Sequence, residues 1–390
     1  MSVAAEPFCR NLGAEGAWEP RPVLRDTEGR AIERDAWDAL LLDAATPNLF
    51  HGRRVVEAHL AHGLARSDLR FLACRDSGGD LAAFLPFRDG GVPLARGGLV
   101  FASPYAREST PLLAGRDPAG AAERLLAAMA KARPGAVWRF PSLALGSAAG
   151  EALLAAAGAS GRAVEFASRF ERPVLDRSGS YAEYVAAHLS RNRRRGLARA
   201  ERRLRELGDL RHETVTGGKD LVRAVENFLA LEAAGWKGRR RTAYASRPAT
   251  AAFARELYRE GSDASLVRAD SLTLDGRTIA VSLSLIAGGI CRLHKTAFDE
   301  TLRAFAPGVV LEHAILRDFL DEGFADRLDS LATAGDLLGE LFVGREAIGD
   351  LFLAGDPSVP RARVRRAAAF QRTRDAAIGA MKGWIRPARA

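Results

Sequence analysis

Cysteine, lysine and long apolar runs are all scarce in this chain of 390 residues. Its three cysteines, Cys9, Cys74 and Cys291, stand far apart in the sequence. That excludes a disulfide framework and any Cys-x-x-Cys zinc site, and it suits a reducing compartment. A membrane-spanning helix needs roughly 18 or more uncharged apolar residues. The best apolar run, around 148–157, is shorter and is interrupted by Glu151. Met1–Arg10 lacks a basic stretch followed by an apolar core, so no secretory signal is read there. The expected location is cytoplasmic, at most peripheral at the inner membrane. Several catalytic signatures are missing as well: Gly-x-Ser-x-Gly, Gly-x-Gly-x-x-Gly and Gly-x-x-x-x-Gly-Lys-Ser/Thr. Their absence argues against a hydrolase elbow, a dinucleotide fold and a P-loop. His59-x-x-His62 has helical ligand spacing, but no acidic third ligand lies nearby and no His-Glu-x-x-His occurs. Two solvated histidines are expected there, and no metal cofactor.

What the chain does have is arginine. Lysines supply only five of its 57 cationic residues, against 48 acidic ones, which leaves a net charge of +9. Such a charge favours nucleic acid, anionic lipid or a phosphorylated substrate without choosing among them. Hydrophobic residues at 47% and charged residues at 27% are an ordinary globular mixture. The length favours two domains.

Two stretches of the chain follow the same order. The first reads as helices over 31–44 and 51–64, then an extended meander over 68–100. A helix at 119–132, a strand at 136–140, a small-residue helix at 147–157 and an extended run at 162–175 follow. In the second, Ser180 and Glu183 have capping-box spacing and open one long helix to about Leu207. A short strand follows over 210–216, and Asp220 is read as the N-cap of a helix that stops at Gly235. A meander over 264–298 turns at Asp275-Gly276 and Gly288-Gly289, strong hairpin signals. A helix after Pro307-Gly308, strands near 327–332 and 348–353, and a basic helix over 361–382 complete the chain. The reading is α+β: two tandem domains, 1–177 and 178–390, each a mixed, mostly antiparallel sheet flanked by helices.

The segment that carries most chemistry runs from Leu293-His-Lys-Thr-Ala-Phe-Asp299 to Pro307-Gly-Val-Val310. A strand ends, a loop with Arg303-x-x-Ala306-x-Gly308 follows, and a helix starts at once. Such a turn aims main-chain N–H groups and the positive end of a helix dipole at one point, where anions such as pyrophosphates bind. Pro307 suits the first helical turn because it has no N–H to leave unpaired. This loop resembles the coenzyme A loop of the GNAT acetyltransferase superfamily, Gln/Arg-x-x-Gly-x-Gly/Ala after a central strand, with Ala306 in place of the first glycine. A second segment, Leu231-Glu232-x-x-Gly235-Trp236-Lys237-Gly238 followed by Thr242-Ala243, resembles the CelD/BcsL-like group of GNAT proteins, as do Lys295-Thr-Ala-Phe-Asp299 and Leu328-Asp329-Ser330. That group is tied to cellulose and other exopolysaccharides and is similar to Fem-type tandem acyltransferases. One departure is plain: Ala334-Gly-Asp336-Leu-Leu-Gly339 and Phe342 stand where such proteins carry a Pro-Asp-His-Pro-type segment and a Trp.

The resemblance implies an acyl-CoA-dependent N-acyltransferase, with acetyl-CoA as co-substrate and an amino sugar or lipid-linked sugar as acceptor. Main-chain N–H groups of Lys295, Thr296 and Ala297 would polarise the thioester carbonyl. Ala306, Gly308, Val309 and Val310, with Arg303, would hold the pyrophosphate. Trp236 and Lys237 would meet the acceptor. Glu232, Asp299 and Asp329 are the candidates for the base, with Glu232 first because it stands one turn before the Trp-Lys-Gly segment. The N-terminal half lacks the loop and is expected to be non-catalytic, walling one side of the acceptor cleft. Arginine crowds the stretch 191–205. Its ordinary reading is a solvated face. Its sharper one is a surface for an anionic membrane or, behind that, tRNA. No DNA partner is expected. The alternatives are a Fem-like aminoacyl-tRNA-dependent transferase and a catalytically inactive scaffold of a polysaccharide machine.

Overall fold

The structure, a computed structural model, describes residues 23–65, 68–261, 263–332 and 341–385. Its strands are β1 (Leu69–Arg75), β2 (Leu81–Asp89), β3 (Gly97–Val100), β4 (Leu112–Leu113), β5 (Val137–Ala144) and β6 (Val164–Asp176). Then come β7 (Leu210–Val215), β8 (Leu266–Leu274), β9 (Arg277–Ala287), β10 (Ile290–Phe298), β11 (Arg327–Asp329) and β12 (Gly344–Ala354). The helices are α1 (Arg34–Asp43), α2 (Arg53–Ala61), α3 (Pro118–Ala132), α4 (Ala148–Ala159), α5 (Tyr181–His188) and α6 (Arg191–Arg205). They continue with α7 (Gly218–Ala234), α8 (Trp236–Arg239), α9 (Pro248–Leu257), α10 (Pro307–Glu322) and α11 (Arg361–Ile385).

Both expected hairpin turns form. Asp275 and Gly276 have φ of 50° and 78°, and Gly288 and Gly289 have φ of 51° and 75°. Two successive left-handed residues match the twist of the flanking strands, which is why such pairs close tight hairpins. The two halves also repeat each other in space. A parallel pair, β3 with β5, is joined through α3, and a second, β10 with β11, is joined through α10.

One mixed sheet nevertheless runs through the whole molecule, in the order β1-β2-β3-β5-β12-β6-β11-β10-β9-β8-β7, with β4 on β2. The division at 177/178 falls just after β6, but the sheet does not divide there. β12 comes back from the second half to lie between β5 and β6, while β6 reaches forward to pair with β11. α11 then covers the returned strand, with Val364, Ala367 and Ala368 against Phe352 and Ala354. Residues 1–177 alone would expose the long edges of β5 and β6 and the apolar surface beneath α11. Calorimetry should therefore show one cooperative transition for the whole chain and none for the isolated segment. A cooperative melt of 1–177 by itself would show that the interlacing is dispensable.

Three local expectations are corrected. The helix read over 180–207 is two helices. Ser180 and Glu183 do form the capping box of α5, but Leu189 is extended and buried, and Ser190 caps a new start by accepting from the Arg193 N–H at 3.2 Å. Asp220 lies in the first turn of α7, whose N-cap is Gly217. His59 is fully buried rather than solvated, held by the Val55 carbonyl at 2.7 Å and the Ser103 hydroxyl at 2.8 Å, and burial pulls its pKa down to about 4. His62 pairs with Glu256 at 2.6 Å.

Candidate active site

The parallel pair β10–β11 holds together only over Ile290–Arg292 and Arg327–Asp329. Past that point the strands separate. β10 stays registered on β9, with a bulge: Leu293 faces Ser284 and Lys295 faces Leu283, so His294 is an extra residue. Strict alternation would send His294 and Lys295 to opposite faces of the sheet, and the bulge re-aims them so that both line one cleft. This cleft, about 360 Å³, has His294, Lys295 and Thr296 on one wall and Ser330, Leu331 and Ala332 on the other. Gly308 and Val309 of α10 close one end, and Arg107, Arg193 and Lys237 stand at its borders. Opening a parallel pair strips the partner from one edge of β10, leaving main-chain groups there to bind an extended ligand.

Asp299 caps a 3-10 turn over Glu300–Phe305, accepting from the Thr301 N–H at 2.9 Å and pairing with Arg277 at 2.9 Å. Ala306 follows in the left-handed region (φ 52°, ψ 50°), and α10 begins with Pro307. Four N–H groups were expected to face a pyrophosphate here, and three have internal partners. Ala306 donates to the Arg303 carbonyl at 3.1 Å. Val309 and Val310 donate to the Ala306 carbonyl at 3.0 and 3.1 Å. The left-handed Ala306 turns its carbonyl into the first helical turn, where the Val309 and Val310 N–H groups meet it. The Gly308 N–H carries no such bond among the described residues, and a Cβ at Gly308 would come within 3.2 Å of the Phe298 ring. Arg303 is exposed.

Behind β10 lies a set of tied polar groups. The Trp-Lys-Gly segment is the single turn α8, and Glu232 anchors it. Glu232 is 5% exposed; one carboxylate oxygen accepts from Lys237 Nζ at 2.8 Å, the other from the Tyr244 N–H at 2.7 Å. Lys295 Nζ lies beside the stacked rings of Tyr105 and Tyr244, 5.5 and 5.6 Å from their centroids. Loss of water, then repulsion from Lys237 and Arg107, bring its pKa down to about 8, with Glu232 pulling the other way. His294 donates from Nε2 to the Tyr105 carbonyl (3.1 Å) and so accepts at Nδ1 from the Tyr258 hydroxyl (2.6 Å). Burial keeps that imidazole neutral. Thr296 donates to Glu312 at 2.8 Å.

The three carboxylates singled out from the sequence are thus not gathered at one point. Glu232 stands behind the cleft, and Asp299 is committed to its turn. Asp329 accepts from the Leu331 N–H at 2.8 Å, pairs with Arg172 at 3.3 Å, and faces a second cavity of about 190 Å³ shared with Glu108, Arg292 and Glu346. Trp236 is half exposed, while Lys237 reaches the cleft. The segment 334–339 lies outside the described residues. Sequence reasoning missed the side chains of His294, Tyr258, Tyr105, Arg107 and Glu312. They come from segments far apart in the chain and meet at β10, which no local pattern announces.

Residues 191–336 match the acetyltransferase (GNAT) domain family. No curated protein matches the chain in sequence. Among solved structures the chain is similar to FemX, with 10% identity over 86% of this chain and 98% of that one, at a TM-score of 0.55. It is also similar to the C-terminal domain of a putative lysylphosphatidylglycerol synthetase from Agrobacterium fabrum, with 14% identity over 82% and 90% of the two chains, at a TM-score of 0.51. A conserved protein of unknown function from Bacteroides thetaiotaomicron matches at 13% identity over 82% and 96%, with a TM-score of 0.52. At such identities these likenesses speak for the fold.

Proposed function

We propose that this chain, an N-acyltransferase by its GNAT domain, uses acetyl-CoA as donor and an amine-bearing sugar of exopolysaccharide or cell-envelope synthesis as acceptor. The observation that carries the reading is the opened β10–β11 pair, with the N-terminus of α10 at one end and the Lys295 amine within. The thioester arm lies along the freed edge of β10, and its phosphates meet the Gly308 N–H and the helix dipole, with Arg303 at the rim. The carbonyl sits against main-chain N–H groups around Lys295–Ala297. The pathway assignment rests on the resemblance of the Trp-Lys-Gly and Lys-Thr-Ala-Phe-Asp segments to the CelD/BcsL-like group.

The acceptor enters past Trp236 and Lys237. Its nitrogen attacks the thioester carbon, the C–N bond forms, and the C–S bond breaks. One proton must leave the nitrogen and one must reach the thiolate. Lys295, with a pKa of about 8, lies close to both partners in proton affinity, so a single amine takes the first proton and delivers the second. Glu232 holds Lys237 and the Tyr244 backbone in place and so shapes the pocket around that amine. Asp299 and Asp329 take structural parts in this scheme, one fixing the loop and one the far strand.

Thiol release from acetyl-CoA, followed with a panel of free and lipid-linked amino sugars, tests the assignment. Release that depends on an amino sugar is expected. If no amine acceptor raised release above the rate in buffer, the reading would fail.

A further inference from the structure

We propose that the rim of the cleft is a docking surface for an anionic lipid bilayer, which would bring the mouth of the cleft to the membrane. The inference goes beyond acyl transfer and does not depend on it. It starts from α6. Leu197 and Leu204 of this helix are buried, and at about 100° per residue Arg191, Arg195, Arg199 and Arg202 fall on the opposite face. Arg191, Arg194, Arg195 and Arg199 are exposed and have no ion-pair partner among the described residues. A helix of 15 residues makes this a straight cationic stripe about 20 Å long.

The stripe continues across the cleft mouth. Arg203 donates to the Ala304 carbonyl at 3.1 Å and lies over the Phe305 ring, which ties α6 to the 3-10 turn bearing exposed Arg303. Glu300 of that turn accepts from the Trp236 N–H and from Arg239, both at 2.7 Å, which ties it in turn to α8. Beyond α8, Arg240 and Arg241 are exposed. The cleft opens between these elements, with Arg193 on one side and Lys237 on the other.

Two features favour lipid over RNA. Recognition of single-stranded RNA relies on open aromatic faces for base stacking. The exposed aromatic of this rim, Trp236, has the Arg240 guanidinium 5.5 Å from its ring centroid, so the platform is occupied. An indole half out of the surface and flanked by arginines is instead the pairing found at membrane interfaces, with the ring at headgroup depth and guanidiniums on phosphates. A helix stripe that is convex and straight also meets a flat surface better than it wraps a strand.

Co-sedimentation of the full chain with vesicles tests this, using phosphatidylglycerol in phosphatidylcholine against phosphatidylcholine alone. Binding should require the anionic lipid and fade at high salt. Replacing Arg191, Arg194, Arg195 and Arg199 together by Gln should weaken it about 1,000-fold. The acetyl-CoA titration and melting temperature should stay as in the wild type, since none of the four side chains lines the cleft. The corresponding Lys variant should bind vesicles like the wild type. Equal binding to neutral vesicles, full binding by the Gln variant, or loss of binding in the Lys variant would overturn the proposal. So would retention of tRNA at physiological salt by a protein that ignores anionic vesicles. Acetyl-CoA binding, read on the same samples, reports separately on the acyl-transfer reading.

Discussion

Lys295→Met should yield a protein that is more stable at neutral pH and nearly inactive. The Lys295 amine lies beside the Tyr105 and Tyr244 rings, and burial brings its pKa from 10.5 to about 8. Below pH 8 the native state keeps a poorly hydrated ammonium that the unfolded chain hydrates freely. Methionine of similar length removes that penalty, so a gain of about 1–3 kcal/mol is expected at pH 7. The sign of the pH dependence follows. Between about 8 and 10.5 the unfolded wild type binds more protons than the folded one, so its stability rises with pH there and the advantage of the variant shrinks. Denaturant melts at several pH values check this. The rate of thiol release should fall about 10²–10⁴-fold. The rise of wild-type activity through pH 8, as the amine becomes able to accept a proton, should disappear. A variant that is destabilised at pH 7 yet fully active would contradict both halves of the argument.

Gly308→Val should abolish acetyl-CoA binding while the fold survives. Gly308 supplies the N–H at the start of α10 that no acceptor among the described residues takes, and it lines the cleft. A Cβ there meets the Phe298 ring at 3.2 Å, and the two methyl groups of valine fill the space a phosphate must enter. Gly308→Ala should cost about tenfold in affinity and Gly308→Val at least about 100-fold. Crowding the partly buried Phe298 ring should lower stability by about 1–2 kcal/mol. Affinity by calorimetry beside melting temperature separates the two effects. Wild-type binding by the valine variant would mean that the phosphates lie elsewhere.

What the sequence made legible was local. The pairs Asp275-Gly276 and Gly288-Gly289 announced hairpins because few residues tolerate two successive positive φ values. Ser180 with Glu183 announced a helix start, and Arg303–Val310 announced a strand–loop–helix turn, because caps and turns are short-range devices. What stayed hidden depends on partners far away in the chain. The return of β12 to lie between β5 and β6 leaves no trace in either strand, since its apolar residues would fit either half. The break at Leu189–Ser190 was masked by a helical pattern on both sides, and a buried leucine with a capping serine decided it. In the site, the motif residues Lys295 and Lys237 do reach the cleft, whereas Asp299 and Asp329 are spent on caps and ion pairs. Carboxylates look alike in a sequence, and only their partners tell an available base from an anchor. His59 shows the same limit, because its neighbours Ser103 and Phe253 come from distant segments.

A crystal structure of the complex with coenzyme A decides whether the opened β10–β11 pair holds the acyl thioester. The pantetheine arm is expected along β10 past Arg292, the pyrophosphate against the Gly308 N–H at the start of α10, and the sulfur facing Lys295 Nζ. Coenzyme A bound on another face of the sheet, or in this cleft with its sulfur turned away from Lys295, would contradict it.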